Sequence, residues 1–490
     1  MIQLTFAQKE NIGFQYVLDA LQPCSPYGQA LVRALRPYTR EELPELKRQL
    51  GNVNRVLTGE EACRKPLSQL LRIFMTLRMI RTTVKKCLDT SLNEIDLFEI
   101  KRFLLKTHEM LPLWQEIQSV LHLEGIVLAD TEEALDLLDP QRNRVASFYI
   151  ADSSSPVLRA LRREKRELEE YLRLAPGDEV LLARRSRVAA EEEHEEMWIR
   201  GQLSDALRPH IPVILQNMDA IADLDLTLEK AKLARRYGGV MPTFTEDRFA
   251  MEDMVNPQIA DLLDTQGKAF TPVSIALQTG ATVITGANMG GKSVALKTIA
   301  LNILLIHCGF FPFAKSAATP IFDSMHIISE DLESIDRGLS SFGGEIVRFN
   351  QLIRQLQDGY AFILLDEFAR GTNPDEGAAI VQAVTEYLNR QNAVTVLATH
   401  YDNVAPRANA HYQVVGLKNL DMEALRAQIA GLEDGSGMKL IGRHMNYGLY
   451  RVLETRDCPR DALNICRLLG MDRNIIEAIE KYFLEPSGNY

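Results

Sequence analysis

The sequence predicts an α plus α/β architecture, with a helical half followed by a domain built on a mainly parallel sheet and closed by a helical tail. Three observations carry this. From about Phe14 to Leu233 apolar residues recur at helical spacing and β-branched runs are few. Near Tyr237 the stretch YGGVMPTF interrupts that rhythm with Gly and Pro. Beyond it, short and fully apolar runs (ATVIT, AFILLD, AVTVLAT) alternate with helical stretches, as expected of parallel strands covered on both faces. The boundaries read this way are 1–237 for the helical region, 238–455 for the α/β domain and 456–490 for a helix-turn-helix tail that helps dimerisation.

A chain of 490 residues is too long for one ordinary core and implies two to four domains. Apolar and charged fractions of 46% and 25% are those of globular proteins and argue against large-scale disorder. The net charge of −11 argues against a strongly basic nucleic-acid surface. Cys24, Cys63, Cys87, Cys308, Cys458 and Cys466 form no C-x-x-C pair and no metal-ligand spacing, so they read as reduced thiols of a cytoplasmic protein. The start MIQLTFAQKENIG lacks a basic segment ahead of an apolar core, so no secretory signal is expected. The run from Ile299 to Phe313 is broken by Asn302, His307, Gly309 and Pro312; it reads as a buried helix and not as a membrane span.

Within the helical half, SSSPVLRALRREKRELEEYLRL starts with Ser-Pro and places Leu158, Leu161, Leu168 and Leu172 on one face. APGDEVLLARRSR reads as a tight reversal near 174–187, and VAAEEEHEEMWIRGQL as the returning helix of an antiparallel pair. Between Arg64 and Lys86 lie seven cations and no acid. This segment reads as a helix with Pro66 in its first turn and with Arg78, Arg81 and Lys85 sharing a face. A solvated face is the commoner explanation for such a run, and an anion-binding surface is the alternative.

The chemistry concentrates in the second half. ITGANMGGKSVALKTIA carries G-x-x-x-x-G-K-S between an apolar strand and an apolar helix. Glycines there let backbone amides curl around phosphate, Lys292 neutralises phosphate oxygens, and Ser293 offers a hydroxyl to Mg²⁺. The nucleotide-binding assignment covers Gly286, Ala287, Asn288, Met289, Gly290, Gly291, Lys292, Ser293 and the following Val294. FILLDEF brings Asp366 to a strand end to hold Mg²⁺ through water, and Glu367 beside it to orient or deprotonate the attacking water. AVTVLATHYD ends a third strand at His400, placed for a γ-phosphate contact. GLSSFGGEIVRF sets Ser340 and Ser341 before an amphipathic helix, a second anion-ready helix start. A two-fold dimer would offer it to the nucleotide of the other subunit.

TGANMGGKS, GFFPFAK, LSSFGGEIVRF, LLDEFARGTNPDEG and ATHY stand in the order and approximate spacing of the MutS family of ATPases. The helical stretches FQYVLDALQPCSPYGQALVRALRP and FYIADSSSPVLRALRREKRELE resemble the core of the short MutS paralogues that lack a mismatch-reading domain. NPQIADLL and AFTPVSIAL resemble the family's entry into the ATPase domain. The resemblance implies an ABC-type P-loop ATPase using ATP and Mg²⁺. Lys292, Glu367 and His400 fall on its catalytic positions, and Ser293 and Asp366 on its metal positions. Asn288 falls on the loop asparagine and Phe270 on an aromatic near the adenine. Ser340 and Ser341 fall on the element that caps the partner subunit's γ-phosphate. It further implies a homodimer or a MutS-like heterodimer. The sequence departs from the family in two places: the clamp is expected to be reduced to the short turn, and no nuclease-like domain is expected after the ATPase.

Two outputs are compatible with that engine. The first is remodelling of a protein client, such as reactivation of an adenosylcobalamin-dependent amino-acid mutase; it follows from the missing clamp and the acidic balance, although no residue reads as a cobalamin ligand. The alternative is a DNA-structure-binding ATPase of repair or recombination, with weak duplex binding through phosphate contacts.

Overall fold

The computed structural model describes residues 2–286, 291–329, 341–356, 359–416, 446–453, 463, 466–467 and 470–484. By contacts the chain divides into a unit of residues 1–21, 35–54 and 230–490 and a unit of residues 22–34 and 55–229. This division differs from a single boundary at 237, because two short N-terminal segments cluster with the second half of the chain. Each unit is described by itself.

The first unit holds the strands β1 (Thr243–Phe244), β2 (Phe249–Met254), β3 (Val273–Leu277), β4 (Gly280–Thr285), β5 (Ser316–Thr319), β6 (Ser324–Ser329), β7 (Ala361–Asp366), β8 (Ala393–Ala398), β9 (Ala410–Gly416) and β10 (Asn446–Arg451). Six of them form one sheet in the order β10-β9-β4-β8-β7-β6. All neighbours pair parallel except β10, which runs antiparallel to β9. The expected mainly parallel sheet is present. Every residue of β4, β7 and β8 is buried, which is why these runs are predominantly apolar and do not alternate. The register sets Ile284 of β4 and Asp366 of β7 both level with Ala398 of β8. The loops leaving those three strands therefore start from one edge, where open α/β sheets bind ligands. β1, β5, β2 and β3 form a second, four-stranded sheet.

The helix Lys292–His307 leaves β4 and is buried along nearly its whole length. Its apolar residues go all round, as a helix enclosed on every side requires. Among the described residues no helix is long and apolar enough to cross a membrane. At the C-terminus the helix Arg473–Leu484 is present, and most of the helix read before it lies outside the described residues.

In the second unit the helices Pro156–Leu174 and Glu179–Leu207 form the antiparallel pair. The turn is shorter than read from the sequence. It comprises only Ala175–Asp178, because the Asp178 carboxylate caps the second helix by accepting from the Val180 and Leu181 amides. The stretch LLARR, read as part of the reversal, is made of good helix formers and joins that helix.

The basic segment also departs from expectation. It is not one helix but Arg64–Phe74 and Arg81–Lys86, with Arg78 between them. Pro66 does lie in the first turn of the former. The shared face of Arg78, Arg81 and Lys85 does not exist. Arg78 pairs with Glu99, Arg81 with Asp219 and Lys86 with Asp96, so these cations serve internal ion pairs.

Candidate functional site

β4 ends at Thr285, and the chain turns at Gly286 with φ 146°. Ala287, Asn288, Met289 and Gly290 lie outside the described residues. The chain re-enters at Gly291 with φ 85°, the left-handed cap of the helix Lys292–His307. Glycine is required there twice over. A side chain would strain the backbone, and a Cβ would lie 2.5 Å from Cδ1 of Tyr447. The Lys292 ammonium is buried and curls back to donate to the Gly286 carbonyl at 2.7 Å. It also stands 3.6 Å from a carboxylate oxygen of Glu367.

Asp366 closes β7 and is buried. Burial pushes its carboxyl above the usual range and the Glu367 charge adds to this, while the Ser293 hydroxyl bonds to it and pulls it down. Its Oδ1 is buried and has no hydrogen-bond partner among the described residues. Glu367 follows in a left-handed conformation, φ 51°, with its amide donating to Ala398 at 3.0 Å. The Arg370 guanidinium donates to its other carboxylate oxygen at 2.9 Å. His400 leaves β8 beside them. Its burial, with Lys292 and Arg370 nearby, holds the imidazole below the usual histidine range against the pull of Glu367. Its Nδ1 is likewise buried without a partner among the described residues.

Glu367 borders a cleft of ≈ 340 Å³ lined also by Ile259, Leu263, Phe270, Val294 and Tyr447. Gly291, Lys292 and Ser293 line it too. The structure thus brings together Gly286, Gly291, Lys292, Ser293, Val294, Phe270, Asp366, Glu367 and His400. Ser340 lies outside the described residues; of Ser341 only its place as the first residue of the helix Ser341–Gln355 is described. Two participants were not read from the sequence: Tyr447 and Arg370. Tyr447 arrives on β10, whose half-exposed residues lack the apolar run that marked the other strands. Arg370 stands in the quoted LLDEFARGTNPDEG, three residues after an acid, the one local signal available.

The donor set suits a nucleotide with Mg²⁺. A buried carboxylate oxygen without a partner, a neighbouring hydroxyl and a buried ammonium at a helix N-terminus offer one metal ligand pair and one phosphate counter-charge.

Residues 282–464 match the family model described as MutS domain V. The proteins named "Endonuclease MutS2" include that of Streptococcus suis (strain 05ZYH33), 27% identical over 380 residues, which are 75% of this chain and 43% of the relative. That of Geobacillus sp. (strain WCH70) is 29% identical over 61% of this chain and 35% of its own length. That of Symbiobacterium thermophilum is 31% identical over the same shares, 61% and 35%. The chain is similar to MutS proteins. It spans less than half the length of each of these relatives.

Proposed function

We propose that the protein is a MutS-type ATPase that hydrolyses ATP to ADP and phosphate in a composite dimer and uses the cycle to act on DNA structures. The observation that carries the ATPase reading is the convergence of Lys292, Ser293, Asp366, Glu367 and His400 on one sheet edge beside a cleft with two aromatic walls. Phe270 and Tyr447 would enclose the base. Lys292 would exchange the Gly286 carbonyl for the β- and γ-phosphate oxygens. Ser293 and Asp366 would hold Mg²⁺, which when bound offsets phosphate charge and the cost of burying Asp366. Glu367 would hold the attacking water against the γ-phosphorus and take its proton as the bond to the leaving β–γ oxygen breaks. His400, held neutral by its surroundings, would donate to a γ-phosphate oxygen. Ser340 and Ser341 would complete the site across the dimer.

The test is Mg²⁺-dependent phosphate release. Lys292→Ala should abolish ATP binding, and Glu367→Gln should bind ATP while turning it over ~100-fold or more slowly. Mixing Lys292→Ala chains with Ser340→Ala/Ser341→Ala chains should restore part of the activity, since one site of the mixed dimer has both halves intact. Normal turnover by the Glu367→Gln protein would refute the assignment of the base; an inactive mixture with heterodimers confirmed would refute the shared site.

For the output, relatives named as endonucleases favour DNA over a protein client. This reverses the preference drawn from the acidic balance. The four-residue reversal Ala175–Asp178 supports a clamp reduced to a turn. Binding should then be weak, indifferent to mismatches and steeply salt-dependent, because phosphate contacts alone remain. Fluorescence anisotropy and ATPase stimulation with plain, mismatched and branched duplexes test this; no binding and no stimulation at low salt would sink the DNA reading.

A further inference from the structure

Glu367 and Ala369 both adopt positive φ, 51° and 64°, within three positions. Neither is glycine, so each holds a conformation that L-residues avoid unless their surroundings impose it. The surroundings are specific. The Ala369 amide donates to Oε2 of Glu345 at 2.8 Å. The Ala369 carbonyl accepts from the Tyr401 hydroxyl at 2.9 Å. One backbone unit is thus gripped on both sides by side chains from two other elements, the helix Ser341–Gln355 and the loop leaving β8. Between the gripped residue and Glu367 lies Phe368, buried, with its ring 5.3 Å from that of Phe349 on the same helix as Glu345.

Glu345 is itself 97% buried, at 3% exposure, beside the apolar cluster that holds Phe368, Ala369 and Tyr401. A carboxylate is expensive to place there, and a packing role would be met better by an apolar side chain. What an apolar side chain cannot do is accept from the Ala369 amide.

We propose that Glu345 is a positioning residue for Glu367, with Tyr401 as its counterpart. By fixing Ala369 in the left-handed region they hold the turn after β7 so that the Glu367 carboxylate faces Lys292. The effect of losing the grip falls on the geometry of the water-holding carboxylate and spares the cleft walls, since neither Glu345 nor Tyr401 lines the cleft. Small losses of alignment at a reacting group are read mainly in turnover.

The inference rests on the ATPase reading, and the experiment separates the two. Glu345→Ala should lower kcat by about tenfold or more while ATP affinity stays within about threefold. Glu345→Gln, whose amide oxygen accepts the same bond, should recover most of the turnover. In the Glu367→Gln background Glu345→Ala should add nothing, because the group it positions is already disabled. Independently of turnover, amide exchange of the peptide around Ala369 should rise in Glu345→Ala and stay low in Glu345→Gln. If Glu345→Ala does not fold, Tyr401→Phe carries the test, with a smaller loss of kcat in the same direction and raised exchange. A kcat unchanged in the alanine or phenylalanine variant, a loss of ATP affinity equal to the loss of turnover, an additive effect on Glu367→Gln, or unchanged exchange at Ala369 would each overturn the proposal. Absent turnover in the unmodified protein would sink the ATPase reading, and the exchange measurement would still decide the grip.

Discussion

In the helix Lys292–His307 thirteen of the residues are buried, whereas the helix Pro156–Leu174 buries only Leu158 and Leu168. Beyond a small apolar contact of Leu158 with Ile199 and Leu203, the two helices of the hairpin are joined by charges. The Arg162 guanidinium donates to the Ile150 carbonyl and to Asp152, Glu192 and Glu196 at 2.6, 2.8, 3.1 and 2.8 Å. Lys165 also pairs with Glu192, Arg184 with Glu164 and Arg185 with Glu169. One region is therefore held by removing apolar surface from water, and the other by ion pairs that water and salt compete for. The difference matches their tasks. On the ATPase reading, the loop helix would have to keep Lys292 and Ser293 fixed against the sheet edge, a demand that reading does not place on the hairpin.

The sharpest way to break this comparison is to cut the same kind of side chain in both regions. Leu304 is fully buried in the loop helix, and Leu304→Ala should cost about 3 kcal/mol, the transfer of the lost methyls plus the cavity left behind. Leu182 in the hairpin is exposed, and Leu182→Ala should cost less than about 0.5 kcal/mol. Calorimetric unfolding reads both. Similar losses at the two sites would mean that the hairpin leucine is covered in solution.

The same contrast explains what could be read in advance. β4, β7 and β8 were legible because full burial leaves each a continuous apolar run, and each run ended in residues whose chemistry is local: Gly286, Asp366 and Glu367, and His400. The partners that tune those groups were not legible. Tyr447 reaches Gly291 only because β10 pairs with β9 at the far side of β4. Glu345 reaches Ala369 across 24 positions, and no periodicity marks such a pair. In the second unit the charges hid the geometry. Arg78, Arg81 and Lys85 read as one face because the acids that pair with Arg78, Arg81 and Lys86, namely Glu99, Asp219 and Asp96, come from elsewhere in the chain.

A second prediction concerns pH, at the inner end of the loop helix. His307 is fully buried, and its burial lowers it from 6.5 to about 4, against the pull of the Tyr38 carbonyl and Asp323. Its Nδ1 faces the Tyr38 carbonyl at 3.3 Å, and the Phe322 amide donates to its Nε2 at 3.4 Å. A proton on Nε2 would therefore meet another N–H. The unfolded chain binds that proton more readily, so stability is present above the unfolded value and falls as pH drops toward the folded one. Between about pH 7 and about pH 5 the loss should reach about 2 kcal/mol. His307→Gln should flatten that slope, since its amide keeps a donor and an acceptor but does not titrate. An equal slope in the variant would place the acid sensitivity elsewhere in the unit.

The smallest effect is expected in the hairpin, and it should differ in kind. Arg162→Ala removes three ion pairs, yet Glu192 keeps Lys165 and Glu196 keeps Arg200, with Nη1 at 3.7 Å. No buried acid is left alone, so the cost should be about 1 kcal/mol and not the larger penalty of an orphaned charge. The chain has two tryptophans, Trp114 and Trp198, and both lie in the second unit. Their fluorescence therefore follows that unit without interference from the sheet. Molar salt should lower the hairpin's stability in the unmodified protein and change the Arg162→Ala variant less, because the variant has already lost the pairs that salt screens. The loop helix, held by apolar burial, should show no matching loss. If salt weakens both proteins alike, or if Arg162→Ala costs as much as Leu304→Ala, the hairpin is held by packing after all, and the exposed charges are decoration on an apolar seam formed by Leu158, Leu168, Val188 and Ile199.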